Sequence, residues 1–309
     1  LRDSGMTPEE VTEAGLTPMP EGAEFNPLRT RNRLWIGGRL EKTRGNTIRY
    51  SADAKFGILG DAAGEIDVRG SIETRFKLGN DTVRIEADGF FKNLEPNYLY
   101  NHYYSNHYIW NNDFGKIRSF RAEGRLHIPW SWTTLSVGVE NVQNYVYFNS
   151  DCLPAQHPGH IQVFSARLQQ NLRFGIWNWD NTLTYQATSN ADILPLPAFT
   201  LYSNMYLYFK AFRALTVQIG VDCNYYTRYR GMMYQPATMS FHVQGDNPID
   251  VGGYAFGNVY LTCKLYKVRF FVMCSHLNER WFSRDSFSMP HYPINPREFR
   301  CGLSIDFAD

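Results

Sequence analysis

Hydrophobic and polar residues alternate at every second position along most of the chain after residue 31. In residues 65–76, for example, Ile66, Val68 and Ile72 lie on one face, and acidic and basic residues lie on the other. This pattern is typical of a β-strand that separates two different solvents. About thirteen such segments of about 9–12 residues occur, a length that lets a tilted strand cross a lipid bilayer. They are residues 32–41, 47–58, 65–76, 82–90, 117–128, 132–141, 162–172, 176–188, 199–210, 215–228, 256–265, 268–277 and 298–307.

Long connections alternate with short ones along this series of segments. Outer-membrane barrels have this pattern, because their periplasmic turns are short and their extracellular loops are long. The sequence therefore predicts an all-β fold, an antiparallel transmembrane β-barrel of the outer-membrane type, with about 13–14 strands in this chain. We expect the protein to lie in the bacterial outer membrane, and we predict no helix after residue 15. The long connections are residues 92–116, 143–160, 189–198, 229–255 and 278–297.

The first residues differ from the rest of the chain. They contain a helix start at Thr7-Pro8-Glu9-Glu10 and are otherwise rich in proline and acidic residues, so residues 1–31 are predicted to be a polar connector with a short helix. Residues 32–309 form the predicted barrel. Thirteen strands cannot close an antiparallel bacterial barrel with both ends in the periplasm. We therefore expect more strands upstream, which makes residues 32–309 the C-terminal portion of a larger barrel. An extra strand at residues 237–243 is the alternative.

Composition excludes several classes of protein. The 309 residues include 31 basic and 30 acidic residues, and this balance argues against nucleic-acid binding, which needs a basic excess. With 43% hydrophobic and 16% aromatic residues, the chain is not disordered. No run of about 18 apolar residues occurs, which excludes a helical membrane protein. The five cysteines show no CxxC spacing, so neither a disulfide framework nor a zinc site is predicted.

The polar face of the first strands is unusually charged. Charged side chains at membrane depth must face water or each other, so we predict that they line a water-filled lumen. Facing rows of arginines and acids would then set a transverse field that sorts polar solutes. The alternative is a lumen cross-linked by ion pairs and blocked by loops. The predicted selectivity residues are Arg39, Arg49, Asp53, Glu65, Arg69, Glu73, Arg75, Arg84, Arg121, Glu123 and Arg125. The second half carries more amide, threonine and tyrosine side chains, among them Asn178, Thr182, Thr184, Gln186, Tyr206, Tyr208, Gln218, Asn224 and Tyr226.

The loop of residues 97–114 interleaves aromatic side chains with asparagines. Aromatic rings beside amides suit sugar rings, which makes this loop a possible site of solute contact. A packed plug loop or an interfacial aromatic girdle is the more common role of such residues, and the sequence favours it. The possible contact residues are Tyr98, Tyr100, Tyr103, Tyr104, Tyr108 and Trp110.

Signals of catalysis and metal binding are weak. His102 with His107, and Cys152 with His157 and His160, do not have a recognised zinc spacing. The chain contains neither a GxxxxGK[ST] phosphate loop nor a GxSxG nucleophile elbow. We therefore predict no metal, no cofactor and no enzymatic activity.

The last strand carries an insertion signal. Gly302 is followed by Leu303, Ile305 and Phe307 at alternate positions, and this ending resembles the C-terminal signal by which barrel proteins are recognised for insertion. Other stretches resemble the large putative porin family of the Bacteroidota outer membrane over about residues 252–309. These stretches are GGYAF (252–256), KL (264–265), VRFFV (268–272), SHLN (275–278) and FSMPHYPINPR (287–297). The resemblance implies an outer-membrane barrel that acts as a diffusion channel, in a family whose members are typically much longer.

Together these patterns predict a porin-like channel for passive diffusion of small polar solutes through a charged, water-filled lumen. One alternative is an occluded barrel that serves as a scaffold or subunit of a larger surface or secretion complex. A barrel hydrolase and a soluble β-sandwich or lectin are further alternatives. The expected partners are outer-membrane lipid and lipopolysaccharide, the barrel-assembly machinery, and a lipoprotein or surface complex. No nucleic-acid partner is expected.

Overall fold

One antiparallel sheet dominates the fold. The computed structural model describes residues 31–45, 47–105, 107–279, 281 and 287–307. In the main path of a 15-stranded sheet, thirteen strands follow one another in chain order, and the remaining two are short strands in a loop. The path is β1 (Arg33–Lys42), β2 (Ile48–Gly60), β3 (Ile66–Leu78), β4 (Asp81–Leu94), β5 (Ile117–Ile128), β6 (Thr133–Phe148), β7 (Pro154–Phe174), β8 (Trp177–Thr188), β9 (Phe199–Ala211), β10 (Leu215–Tyr226), β11 (Phe256–Leu265), β12 (Val268–Ser275) and β13 (Glu298–Ile305).

One face of this sheet is apolar and exposed. Ile36 on β1, Phe120 on β5 and Leu303 on β13 are 60%, 52% and 63% exposed. Burying these side chains in water-free surroundings would stabilise the fold by about 1.5–3 kcal/mol each. A β-sandwich would cover such a face with a second sheet, so its exposure argues against the soluble alternatives.

The two ends of the sheet carry different connections, as the sequence predicts. At one end the strands are joined by tight turns, at which Phe212 and Tyr266 are 94% and 80% exposed and adopt left-handed backbone angles. Trp130 and Trp132 project from the turn between β5 and β6 at the same end. Aromatic side chains in this position are typical of a membrane–water interface. The long connections lie at the opposite end.

The sheet is open in the described part of the chain. There β1 pairs with β2 alone, and β13 pairs with β12 alone. The predicted antiparallel order and strand number are confirmed, whereas the closing of the barrel is not seen between these two strands. No described helix is both long and apolar enough to cross a membrane. The predicted connector and its short helix lie outside the described residues, apart from Arg31.

Three sequence predictions about the loops are wrong. The predicted loop at 143–160 is a hairpin, because β6 and β7 continue to pair with each other up to Phe148 and Pro154. Val146 of this hairpin is buried, and so is Ile161 directly after it. A short helix, Tyr98–Asn101, forms although none was predicted after residue 15. The alternative strand at 237–243 is a short hairpin of Met233–Gln235 with Ser240–His242, and it does not run the length of the sheet.

Candidate functional site

The candidate site is the polar face of the sheet. Residues directly opposite each other in antiparallel strands project to the same face, so the register assigns each side chain to a side. Asp53 is opposite both Arg39 and Arg69, which joins β1, β2 and β3. Across the next strands Glu73 is opposite Glu86, and Glu86 is opposite Arg125. All predicted selectivity residues other than Glu65 share this face.

The charges on this face are paired locally. Arginines contact acids two positions away on the same strand, and the alternation of the strand places both on one face. The expected arrangement of separate, facing rows of arginines and acids is therefore wrong. Opposite charges that lie side by side cancel most of each other's field a short distance away. Salt at 0.1 M screens the remaining field beyond about 10 Å. The pairs include Arg39–Glu41 at 3.0 Å, Arg69–Asp67 at 2.8 Å, Arg75–Glu73 at 2.5 Å and Arg84–Glu86 at 3.0 Å.

Arg125 is the centre of the largest cluster. Its guanidinium lies 3.0 Å from Glu86, 3.3 Å from Asp88 and 2.6 Å from Glu123. Arg121 also contacts Glu123. One cation thus serves three carboxylates, and its side chain remains about one-third exposed. Three members of the cluster, Arg125, Glu86 and Asp88, line a cavity of about 380 Å³ together with Arg49, Glu73 and neighbouring side chains.

Glu65 is a correction to the predicted lining. It lies just before β3, and its side chain is completely buried. Its carboxylate accepts hydrogen bonds from Arg33 at 2.6 Å and from the backbone N–H of Glu95 at 2.8 Å. The alternation of β3 does not extend to this turn, so Glu65 stabilises the long-loop end instead of facing a passage.

The second half of the polar face is largely uncharged. Asn204, Asp222 and Asn258 form one row across β9, β10 and β11, and Asn258 donates a 2.8 Å hydrogen bond to Asp222. The ion pair of Arg173 with Asp180 lies at the edge of this zone. The face therefore changes from charged to hydrogen-bonding character along the sheet.

The aromatic loop packs mostly against protein. Trp110 is buried, donates a 2.9 Å hydrogen bond to the carbonyl of Leu99, and stacks on Tyr103 with ring centroids 4.5 Å apart. Tyr108 accepts a 2.8 Å hydrogen bond from Gln235 of another loop, and burial raises the pKa of its hydroxyl.

The remaining aromatic residues of this loop are also packed. Tyr98 lies beneath the Arg31 guanidinium, 5.1 Å from ring centroid to cation, and Tyr100 packs on Phe148 of β6 at 5.6 Å. Tyr104 lies on the small strand His102–Tyr104 and is half-buried. This arrangement favours the interpretation of residues 97–114 as a packed loop over a site of solute contact.

Residues from three of the stretches that carry the family resemblance, 252–256, 275–278 and 287–297, meet in one network at the long-loop end. His276 donates from Nδ1 to the carbonyl of Asn295 at 2.6 Å, and its Nε2 lies 2.7 Å from the Tyr254 hydroxyl. Asn278 donates to the carbonyl of Ala255 at 2.6 Å and accepts from the N–H of Gly257 at 2.9 Å. Burial, reinforced by the nearby charge of Glu279, raises the pKa of Tyr254. Periodicity gives no sign of this network, and only the motifs point to it.

The predicted insertion signal occupies the last strand. Leu303 and Ile305 lie on the exposed apolar face, and Phe307 follows the strand and is 87% exposed. Gly302 lies against the ring of Phe271 on β12, and any Cβ at this position would overlap that ring. Steric fit therefore explains the glycine, while the three apolar residues present a surface to lipid.

Solved structures of outer-membrane receptors share this fold over 88% of the chain. The siderophore receptor PirA from Acinetobacter baumannii has a TM-score of 0.59 and 12% identity, and 45% of its chain is covered. The FrpB iron transporter from Neisseria meningitidis (F3-3 variant) has a TM-score of 0.57 and 10% identity, with 44% covered. The ferric enterobactin receptor PfeA, in complex with BCV-L6, has a TM-score of 0.61 and 15% identity, with 45% covered. The chain thus spans less than half the length of these receptors.

These comparisons confirm the predicted β-barrel fold and the location in the bacterial outer membrane. An origin in Bacteroidota stays a prediction. No curated protein sequence matches the chain. The sequence model of the family described as "Putative porin" matches residues 18–309. The chain therefore belongs to this family and is an outer-membrane β-barrel protein.

Proposed function

We propose that the protein provides a water-filled passage through which small polar solutes diffuse passively across the outer membrane. The observation that carries this proposal is the two-sided sheet, which is apolar and exposed on one face and polar on the other across its strands. An apolar face suits lipid, and a polar face at the same depth requires water or polar partners. The polar face then lines the passage, and the apolar face contacts outer-membrane lipid and lipopolysaccharide.

The passage should discriminate weakly between cations and anions. In the charged zone of β1 to β5, each arginine of the pairs described above has an acid at ion-pair distance. A solute further away than about one Debye length therefore experiences little net field. Diffusion through such a passage breaks no covalent bond, so we propose that the protein is not an enzyme and needs no cofactor.

An occluded scaffold is the second candidate, and the packing of the long loops favours it. Gln156 of β7 exchanges hydrogen bonds with Gly115 at 3.0 and 2.7 Å, and Val243 donates to Phe148 at 3.0 Å. Loops held in this way could close the passage and present a surface to a lipoprotein or surface complex. The barrel-assembly machinery remains an expected partner through the last strand.

Single-channel recording tests the two candidates. The protein is purified from outer membranes in detergent and added to a planar bilayer, with a heat-modified gel shift as the control for a folded barrel. Stable ohmic steps with weak ion selectivity support passive diffusion. A folded but silent protein refutes it, and copurification of partner chains in stoichiometric amounts would then support the scaffold.

A variant with residues 99–111 replaced by a Gly-Ser linker shows whether the aromatic loop closes the passage. If the loop is a plug, the parent protein is silent and the variant conducts.

A further inference from the structure

Two tyrosines flank one glycine in the uncharged zone. Tyr206 of β9 and Tyr260 of β11 are the direct neighbours of Gly220 on β10. A Cβ at Gly220 would lie 2.6 Å from the Cβ of Tyr206 and 2.8 Å from the hydroxyl of Tyr260. The hydroxyl of Tyr260 therefore lies above Gly220, and its ring crosses the surface of the sheet instead of projecting away from it.

Hydrogen bonds at its outer end hold the ring of Tyr260 in this position. Its hydroxyl donates to the side-chain oxygen of Asn204 at 2.9 Å and accepts from the side-chain nitrogen of Gln218 at 3.0 Å. Tyr260 is half-buried, so part of its side chain is accessible from the polar side. A ring fixed in this way is preorganised, since it loses little conformational freedom when a ligand stacks on it.

Further tyrosines extend this aromatic surface along β9. Tyr202 and Tyr208 share the face of Tyr206 and are 40% and 50% exposed. At the rise of a strand, about 3.3 Å per residue, Tyr202 and Tyr208 are about 20 Å apart. The tyrosines on this face are thus spread over a distance longer than one sugar ring.

Hydrogen-bonding groups beside the rings remain available for a ligand. Within the described chain, the amide nitrogen of Asn204 donates to no residue, and the amide oxygen of Gln218 accepts from none. Both side chains are half-buried. The ion pair of Arg173 with Asp180 adjoins Tyr206, with the guanidinium 5.9 Å from the ring centroid. The zone therefore offers both donors and acceptors, and the carboxylate of Asp222 lies beside them, opposite Asn204.

We propose that Tyr206, Tyr260, Asn204 and Gln218 form a binding subsite for neutral carbohydrates on the polar face. A pyranose has an apolar C–H face that stacks on an aromatic ring, and its hydroxyls both donate and accept hydrogen bonds. The subsite matches both properties. In the charged zone of β1 to β5, by contrast, the polar side chains are largely held in ion pairs, and the Lys92 ammonium lies over the ring of Phe90 at 4.1 Å from its centroid. This inference rests on the proposed function, because it assumes that solutes reach the polar face.

Maltotriose is the probe for this subsite. In single-channel recordings it should interrupt the ion current reversibly at millimolar concentration, and a polyethylene glycol of equal hydrodynamic size should not. Tyr260→Ala should weaken the block about fivefold to tenfold, the effect of about 1–1.4 kcal/mol. Tyr260→Phe keeps the ring and removes the hydroxyl, so it should give a smaller loss and remain informative if the alanine variant does not fold. Phe90→Ala is the matched control, since Phe90 is an aromatic residue on the same face in the charged zone.

The outcomes separate this inference from the proposed function. Conductance steps without a block specific to maltotriose support the channel and refute the subsite. The subsite is also refuted if Phe90→Ala weakens the block as much as Tyr260→Ala does. Absence of conductance refutes the proposed function. In that case, calorimetry of maltotriose with the detergent-solubilised protein tests the subsite directly. Binding that Tyr260→Ala weakens supports it, and no binding overturns it.

Discussion

Charge reversal at Arg125 gives the sharpest test of the charged zone. Its guanidinium contacts Glu86, Asp88 and Glu123 within 3.3 Å, so Arg125→Glu changes the local charge by two units and leaves four carboxylates together. Such a cluster attracts cations and repels anions. The double variant Glu123→Arg with Arg125→Glu restores the net charge and is the matched control.

The magnitude follows from Coulomb's law in salt. For an ion that passes about 8 Å from the side chain in water, one unit charge contributes about 0.5 kcal/mol, which screening at 0.1 M salt reduces to about 0.2 kcal/mol. Two units therefore change the local concentration of cations about twofold and that of anions about twofold in the opposite sense. The ratio of K⁺ to Cl⁻ permeability should rise about fourfold.

Reversal potentials under a KCl gradient measure this ratio. At 1 M salt the Debye length falls to about 3 Å, so the difference between Arg125→Glu and the parent should disappear there. The double variant should match the parent at both salt concentrations. A permeability ratio that stays unchanged at 0.1 M in folded, conducting Arg125→Glu would mean that Arg125 does not face the passage, and the assignment of the polar face would be wrong.

Other predictions concern stability, measured as the free energy of unfolding in detergent with denaturant. Gly57→Ala forces a Cβ into the backbone of the following turn and should cost about 1–3 kcal/mol, whereas Gly124→Ala, with open space around it, should be near neutral; equal losses would contradict this. Arg33→Met removes the cation from the buried carboxylate of Glu65 and should cost about 2–3 kcal/mol, less than a fully buried pair because the arginine is half-exposed. Burial raises the pKa of Tyr254, so the stability that its protonated hydroxyl provides is complete below about pH 10 and is lost as pH rises through the raised pKa. In Tyr254→Phe the free energy of unfolding should fall less steeply at alkaline pH than in the parent. An unchanged pH profile would refute the role of Tyr254.

The strands could be predicted from the sequence because each residue faces one of two solvents. In β3, for example, Ile72 is exposed on the apolar face and Glu73 lies on the polar face. A shift of one residue would place every charge on the apolar side, so the alternation also fixes the face. This signal is local, and it needs no knowledge of the neighbouring strands.

The ends of the strands could not be predicted in the same way. Glu65 has the phase of the polar face, yet the turn before β3 buries its carboxylate against Arg33. The hairpin between Phe148 and Pro154 looks like a loop by composition, and contacts with other loops stabilise it. Just after this turn, Gln156 donates a hydrogen bond to the carbonyl of Gly115, which lies far away in the sequence. Long-range contacts decide these regions, and periodicity does not report them.

The charged and uncharged zones should act independently if the passage is wide. Arg125 lies on β5 and Tyr260 on β11, six strand spacings apart, which corresponds to about 29 Å along the sheet. This separation exceeds the Debye length at 0.1 M salt, and distant substitutions add without coupling. The double variant of Arg125→Glu with Tyr260→Ala should therefore combine the fourfold change in ion selectivity with the weaker maltotriose block. If the sheet instead curves so that the two zones face each other across a narrow lumen, the added carboxylate lies beside the sugar, and the block of the double variant will differ from that of Tyr260→Ala alone.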